Sequence, residues 1–112
     1  MRPILFLLDS APYGQEKAYG VLNAAAVSIG IGPVAIGLFD DGVYLALSGQ
    51  EVEVGPNLAS MLYAYSEIRV VAHEPSLIDR GLFDKEMIEV VELVDHDRFL
   101  DEICAAGMVI TL

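Results

Sequence analysis

Short apolar runs alternate with longer amphipathic segments along this chain, and the alternation predicts its secondary structure. Residues 3–9 form an apolar run that ends in a polar turn, which is typical of a strand buried on both faces of a parallel sheet. Residues 14–29 change to helical spacing, and residues 34–39 return to a short apolar run. This first part of the chain is therefore predicted to form a βαβ unit whose two strands pair in parallel.

The rest of the chain continues the same alternation. We predict helices at residues 43–47, 56–67, 75–80 and 96–105, and strands at residues 68–72, 88–93 and 108–112. In the last helix, Phe99, Leu100 and Ile103 are expected to face inward. The pattern predicts an α/β fold with three layers, in which a mostly parallel five-stranded sheet carries helices on both faces. Residues 1–112 are expected to form a single domain.

Composition narrows the classes of function. Hydrophobic residues make up 54% of the chain and the mean hydropathy is +0.51, so we expect a packed core with apolar side chains left over for subunit contacts. The net charge of −11 and the six scattered Lys and Arg residues exclude a direct nucleic-acid surface. The opening apolar run is too short to cross a membrane.

Cys104 is the single cysteine of the chain, so no internal disulfide can form. A lone cysteine fits a reducing compartment, and we expect a cytoplasmic protein. Its position between Ile103 and Ala105 predicts a buried and inert thiol.

Polar residues follow the first three predicted strands. Because ligands gather beyond the carboxyl ends of parallel strands, these residues form the predicted site mouth. The site mouth consists of Ser10, Pro12, Tyr13, Asp40, Asp41 and His73.

His73 is the residue of the site mouth with the most chemistry. An imidazole beside Glu74 can act as an acid, a base or a ligand, but it can equally be a hydrogen-bonded histidine at the rim of the sheet. His96 opens the last predicted helix, where we expect a role at the surface or near the cap.

The carboxylates of the site mouth have two interpretations. Asp40 and Asp41 can bind a divalent cation together with Asp9, although aspartates at such positions more often stabilise turns, and we predict no metal site. The chain has neither a phosphate-binding P-loop nor the glycine pattern of a dinucleotide site, so we predict no cofactor.

Several segments resemble the DsrE/DsrF-like family, and its TusC and DsrF branch most. A strand leads into the segment Ser-Ala-Pro-Tyr-Gly at residues 10–14, and a helix rich in small residues follows. The next strand ends in Phe-Asp-Asp-Gly-Val at residues 39–43 and leads to Leu-Ser-Gly-Gln at residues 47–50. Ser76, Leu77, Arg80, Gly81 and Leu82 resemble the helix and turn that follow the third strand in the family.

The resemblance implies a role in sulfur relay, in which persulfide sulfur passes between related subunits for tRNA 2-thiouridine synthesis or for sulfur oxidation. Alignment on Arg80 and Gly81 places His73 where the family's working cysteine lies. Because an imidazole cannot hold a persulfide, the resemblance implies no catalytic residue here and an accessory subunit. Its implied partners are related DsrE-like and DsrH-like subunits in a hetero-oligomer, and a basic sulfur-carrier protein.

Three alternatives remain open from the residues alone. The chain can be a self-sufficient sulfurtransferase if Cys104 is exposed and reactive. It can be a homo-oligomeric module that binds a small molecule between Tyr13, Asp40 and His73. A phosphoacceptor receiver domain fits least, because it needs an aspartate where His73 stands.

Overall fold

Among the described residues, five strands form one sheet in which every strand is parallel to its neighbours. The strands are β1 (Ile4–Leu8), β2 (Val34–Leu38), β3 (Ile68–His73), β4 (Val91–Val94) and β5 (Met108–Thr111). Their order across the sheet is β4-β3-β2-β1-β5. This computed structural model describes residues 2–9, 16–47, 65, 67–82 and 84–111.

Helices cover both faces of the sheet, which confirms the predicted three-layer α/β fold. They are α1 (Glu16–Ser28), a 3-10 helix (Asp40–Ala46), α2 (Glu74–Asp79) and α3 (His96–Ala105). The first three pack on one face, and α3 packs on the other. None of the helices in the described ranges is long and apolar enough to cross a membrane.

The larger core lies on the first face, because alternate residues of each strand point to the same side. Phe6, Ile36 and Val70 project toward α1 and the 3-10 helix from the three central strands, and each of them is almost fully buried. Val21 and Leu22 of α1 close this core. The apolar runs read from the sequence therefore supply both the strands and the layer that covers them.

The second face is covered by α3, which crosses the sheet because the chain must pass from β4 at one edge to β5 at the other. Phe99 packs on Val71 and Val94 near the carboxyl ends of the strands. Near the amino end of β3, the Nη1 atom of Arg69 donates a hydrogen bond of 2.7 Å to Glu102 of α3. The helix is thus antiparallel to β3, and His96 lies at the carboxyl edge of the sheet.

Gly42 allows the 3-10 helix to approach the end of β1. A Cβ atom at this position would lie 2.0 Å from the carbonyl oxygen of Leu8, which is far closer than two unbonded atoms can come. The N–H of Phe39 also donates to that oxygen, at 3.1 Å. The 3-10 helix is therefore fixed directly beside the carboxyl ends of β1 and β2.

The structure changes three predictions of local structure and leaves a fourth untested. The helix predicted at residues 43–47 begins earlier, at Asp40, and the helix predicted at residues 56–67 lies almost wholly outside the described residues. The strand predicted at residues 88–93 begins only at Val91, because the N–H of Ile88 donates to the carbonyl of Ala46 at 2.7 Å. The inward position predicted for Leu100 is wrong, since its side chain is 45% exposed.

Candidate functional site

His73 ends β3, and its ring is fixed by the helix that follows immediately. Its Nδ1 atom lies 2.7 Å from the hydroxyl oxygen of Ser76, which is in the first turn of α2. Ser76 is only 4% exposed, whereas His73 is half-buried. Because α2 begins directly after β3, the Ser76 hydroxyl lies within hydrogen-bond distance of one ring nitrogen of His73.

The other ring nitrogen of His73 contacts His96. The Nε2 atom of His73 lies 2.9 Å from the Nδ1 atom of His96, and the two rings meet edge to face with centroids 5.2 Å apart. His96 is the first residue of α3, two positions after the end of β4. His73 pairs with Val94 where β3 and β4 end side by side, so the two histidines meet beyond the carboxyl ends of these strands.

An aromatic ring lies beneath this pair. The Phe99 ring packs against the His73 ring with centroids 5.0 Å apart, and against Phe39 at 6.1 Å. Gly37 of β2 makes room for it, because a Cβ atom there would lie 3.2 Å from Cζ of Phe99 and 2.9 Å from the Leu7 side chain. The glycine in the strand thus permits the ring that positions His73.

The carboxyl end of β2 contributes a backbone donor and an ion pair. The N–H of Asp40 donates to the Ser76 hydroxyl at 2.9 Å, and Asp40 has a positive φ of 48°. The Nε atom of Arg80 donates to Asp41 at 2.9 Å, and its Nη1 atom donates to the carbonyl of Ser76 at 3.2 Å. Asp41 is therefore held by Arg80, and Ser76 links the 3-10 helix to His73.

Burial and charge act together on the His73 ring. Desolvation lowers the pKa of His73 below its usual value, and the proximity of His96 lowers that pKa further. The carboxylates of Asp40 and Asp79 oppose the shift. His73 is consequently neutral at neutral pH, so one of its ring nitrogens donates a hydrogen bond and the other accepts one.

The structure brings together part of the predicted site mouth. Asp40, Asp41 and His73 converge around Ser76, as the parallel strand ends predicted. Ser10, Pro12 and Tyr13 were predicted to complete the site mouth, and they lie outside the described residues. Within the described ranges, no three imidazole, carboxylate or thiol groups lie close enough to hold a metal ion.

Two members of the cluster were missed by sequence reasoning. The sequence shows Ser76 only as part of the family resemblance. The predicted position of His96 at the surface or near the cap is confirmed, since His96 is exposed and follows the N-cap Asp95, but its contact with His73 was not predicted. The signal for His96 was present, because it follows the fourth strand as His73 ends the third, and both strand ends belong to one edge. Ser76 carries no comparable signal, because serine in the first turn of a helix is common.

The prediction that Cys104 is buried is wrong, because its side chain is exposed. Cys104 lies in the last turn of α3, and its carbonyl accepts a hydrogen bond of 2.8 Å from Arg2, which precedes β1. The thiol of Cys104 therefore lies near the amino ends of the strands. His96 begins the same helix at the opposite edge, about 12 Å away at 1.5 Å per helical residue.

Sequence comparisons find known proteins that are similar to most of this chain. The model of the DsrE/DsrF-like family matches residues 2–112. The Methanopyrus kandleri protein MK0008 is 39% identical over 98 residues, which are 84% of this chain and 81% of that protein. The Methanocaldococcus jannaschii protein MJ0989 is 34% identical over 95 residues, covering 81% of this chain and 83% of that protein.

Two solved structures have the same fold. The ychN protein of E. coli superposes with a TM-score of 0.88 at 25% identity, and the match covers 100% of both chains. Protein MTH1491 of Methanobacterium thermoautotrophicum superposes with a TM-score of 0.74 at 13% identity, again over 100% of both chains, and shows the fold alone. The parallel five-stranded arrangement is thus shared with solved proteins over the full length of the chain.

Proposed function

This chain belongs to the DsrE/DsrF-like family, and on that premise we propose that it is a non-catalytic or accessory subunit of a sulfur-relay complex. The complex passes persulfide sulfur between proteins, and we assign it to tRNA 2-thiouridine synthesis in the cytoplasm. Its partners are related DsrE-like and DsrH-like subunits, together with a basic carrier protein that the net charge of −11 attracts.

The identity of the residue at the carboxyl end of β3 carries the proposal. A persulfide forms on a thiolate, and the site has the imidazole of His73 where the family resemblance sets a cysteine. The only cysteine of the chain lies at the opposite edge of the sheet. A sulfur atom that reaches the His73 edge must therefore be carried by another chain.

The apolar surface supports an oligomer. A domain of this size with a mean hydropathy of +0.51 leaves apolar side chains uncovered, and such side chains are typical of subunit contacts. The most exposed large apolar residues in the described part of the chain are Val27, Ile31, Ile78, Leu100, Met108 and Val109.

Co-purification of the tagged chain from its own host tests the proposal. We expect two related subunits of similar size, identified by mass spectrometry, of which one bears a cysteine at the end of its third strand. Recovery of a homo-oligomer alone would contradict the proposal and favour the small-molecule binding module. Deletion of the gene is expected to lower 2-thiouridine in total tRNA, and unchanged 2-thiouridine would contradict the assigned pathway.

Cys104→Ser is the matched variant that separates the accessory role from the alternative sulfurtransferase. Exposure of Cys104 is the observation that favours that alternative. If the role is accessory, the variant recovers the same partners and restores tRNA thiolation to the deletion strain. Failure to restore thiolation, with the partners still recovered, would assign the sulfur-carrying step to Cys104.

A further inference from the structure

We propose that His96, His73 and Ser76 form an acid–base relay that takes the proton from a thiol or persulfide presented by a partner protein. This inference rests on the proposed function and gives its site a chemical role. In this relay Nε2 of His96 meets the sulfur group of the partner, so an accessory subunit without a sulfur-carrying cysteine assists the transfer as its general base. His73 and Ser76 are positioning residues that act through His96.

The hydrogen bonds of the three side chains form one continuous chain. The Ser76 oxygen accepts the N–H of Asp40 at 2.9 Å, and in the tautomer that the proposal assigns it also accepts Nδ1–H of His73 across 2.7 Å. In the same tautomer, Nε2 of His73 accepts Nδ1–H of His96 across 2.9 Å. This arrangement leaves Nε2 of His96 with a free lone pair, so the terminal imidazole is a base.

Exposure increases along the relay from Ser76 to His96, as is needed if the last imidazole is to meet a group on another protein. Ser76 is 4% exposed, His73 is half-buried against Phe99, and His96 is exposed. Within the described residues, Nε2 of His96 forms no hydrogen bond. The inner end is thus buried, and the outer end is accessible to a group on another protein.

The same bonds govern where a proton is held. When Nε2 of His96 is protonated, its Nδ1–H can pass to Nε2 of His73, so the positive charge is shared by two rings. The carboxylates of Asp40 and Asp79 favour charge on His73, while burial and the charge of His96 oppose it. The pair therefore accepts one proton, since a second would place two positive charges beside each other.

The proton-transfer step balances without a further reactant. The S–H bond of the thiol or persulfide breaks, and its electron pair stays on sulfur. The proton forms an N–H bond at Nε2 of His96, so two neutral groups become a sulfur anion and an imidazolium cation. That anion is the form that attacks the next sulfur atom in a relay.

A thiol placed one helical turn after His96 tests the relay in the chain itself. Leu100 is 45% exposed and four residues further along α3, so its side chain leans toward His96. We would introduce Leu100→Cys together with Cys104→Ser and measure alkylation by iodoacetamide at neutral pH. Relative to the same protein with His96→Gln, we expect alkylation to be about tenfold faster, as for a thiol pKa lowered by about one unit.

His73→Gln and Ser76→Ala separate a relay from a single histidine. Each is expected to remove most of that acceleration although His96 is still present, and to shift the pH profile of alkylation upward. The native Cys104, in a chain without the Leu100 substitution, is the reference, and its alkylation rate should be the same with and without each change. Far-UV circular dichroism of each variant reports whether it remains folded.

The outcomes distinguish the relay from the proposed function. An unchanged rate in the His96→Gln protein would overturn the relay, and unchanged rates in folded His73→Gln and Ser76→Ala proteins would reduce it to His96 acting alone. Both results leave co-purification as the test of the accessory role. Conversely, recovery of no partner subunits would contradict the accessory role without altering the alkylation rates.

Discussion

The Nε2 atom of His73 lies 2.9 Å from the Nδ1 atom of His96, and these residues are separated by 23 positions in the chain. The contact attaches the start of α3 to the carboxyl end of β3. Arg69 and Glu102 make the corresponding contact at the other end of the same strand and helix. The candidate site is therefore part of the packing of α3 on the sheet, and changes at the site affect stability as well as chemistry.

Ser76→Ala is expected to lower the free energy of unfolding by about 1–3 kcal/mol, because it leaves the N–H of Asp40 and the His73 ring without their shared buried partner. Urea denaturation gives the change in free energy, and NMR of the imidazole protons reports release of the ring. Ser28→Ala is the matched control, since its hydroxyl donates to the carbonyl of Ala24 within α1 and to no other group among the described residues. We expect a change within about 0.5 kcal/mol there. Equal losses in the two variants would argue against a special role for Ser76.

Stability is expected to fall as the solution is made more acidic than the ordinary pKa of histidine. The pKa of His73 is lower in the folded chain than the ordinary histidine value of 6.5, so the unfolded chain binds more protons between the two values. The contribution is therefore fully present above about pH 6.5 and is lost as the pH falls toward the folded pKa. Urea denaturation at about pH 7.5 and about pH 5.5 measures it. The difference between the two conditions should shrink in His73→Gln, and an unchanged difference would assign the effect to other groups.

Gly42→Ala is expected to destabilise the chain by about 3 kcal/mol or more, because the new Cβ atom would overlap the backbone of Leu8. Relief requires the 3-10 helix to move away from β1. Gly30→Ala is the control, since a Cβ atom at that position meets nothing within 4 Å. Thermal unfolding of both variants provides the comparison, and a small effect at Gly42 would show that the close approach is not required.

Phe99 and Leu100 are adjacent in α3 but are expected to respond differently to truncation. Phe99 is 6% exposed and packs on His73 and Val71, so Phe99→Ala should cost about 3–5 kcal/mol. Leu100 is 45% exposed, and Leu100→Ala should change the free energy of unfolding by less than about 0.5 kcal/mol in the isolated chain. Denaturant titrations measure both. A large loss at Leu100 in the monomer would contradict its exposed position.

Cys104 is expected to react with a thiol reagent in the folded protein, because its side chain is exposed. Complete labelling without denaturant, and a Cys104→Ser protein whose stability differs by less than about 0.5 kcal/mol, are the expected results. Protection of the thiol until the chain unfolds would restore the original prediction of a buried cysteine.

The amino-acid sequence determined the strands, the parallel sheet and most helix positions. Continuous apolar runs such as residues 4–8 and 34–38 are typical of strands that are buried on both faces of a parallel sheet. The segments between these runs form the helices that cover the sheet. The same pattern predicted that the third strand ends directly before His73, one residue short of its observed end. The single domain, the partner subunits and the roles of Ser10, Pro12 and Tyr13 stay predictions.

Only the tertiary structure decided which side chains meet and which stay exposed. Helical spacing gives Leu100 and Cys104 the same apolar pattern as Phe99, but α3 is the one described helix on its face and buries a narrow stripe of residues. The contact of His96 with His73 depends on β4 lying beside β3 and on α3 returning antiparallel to both. Strand order and helix direction are set by the packing of the whole chain, because a periodic pattern fixes the faces of an element but not its neighbours.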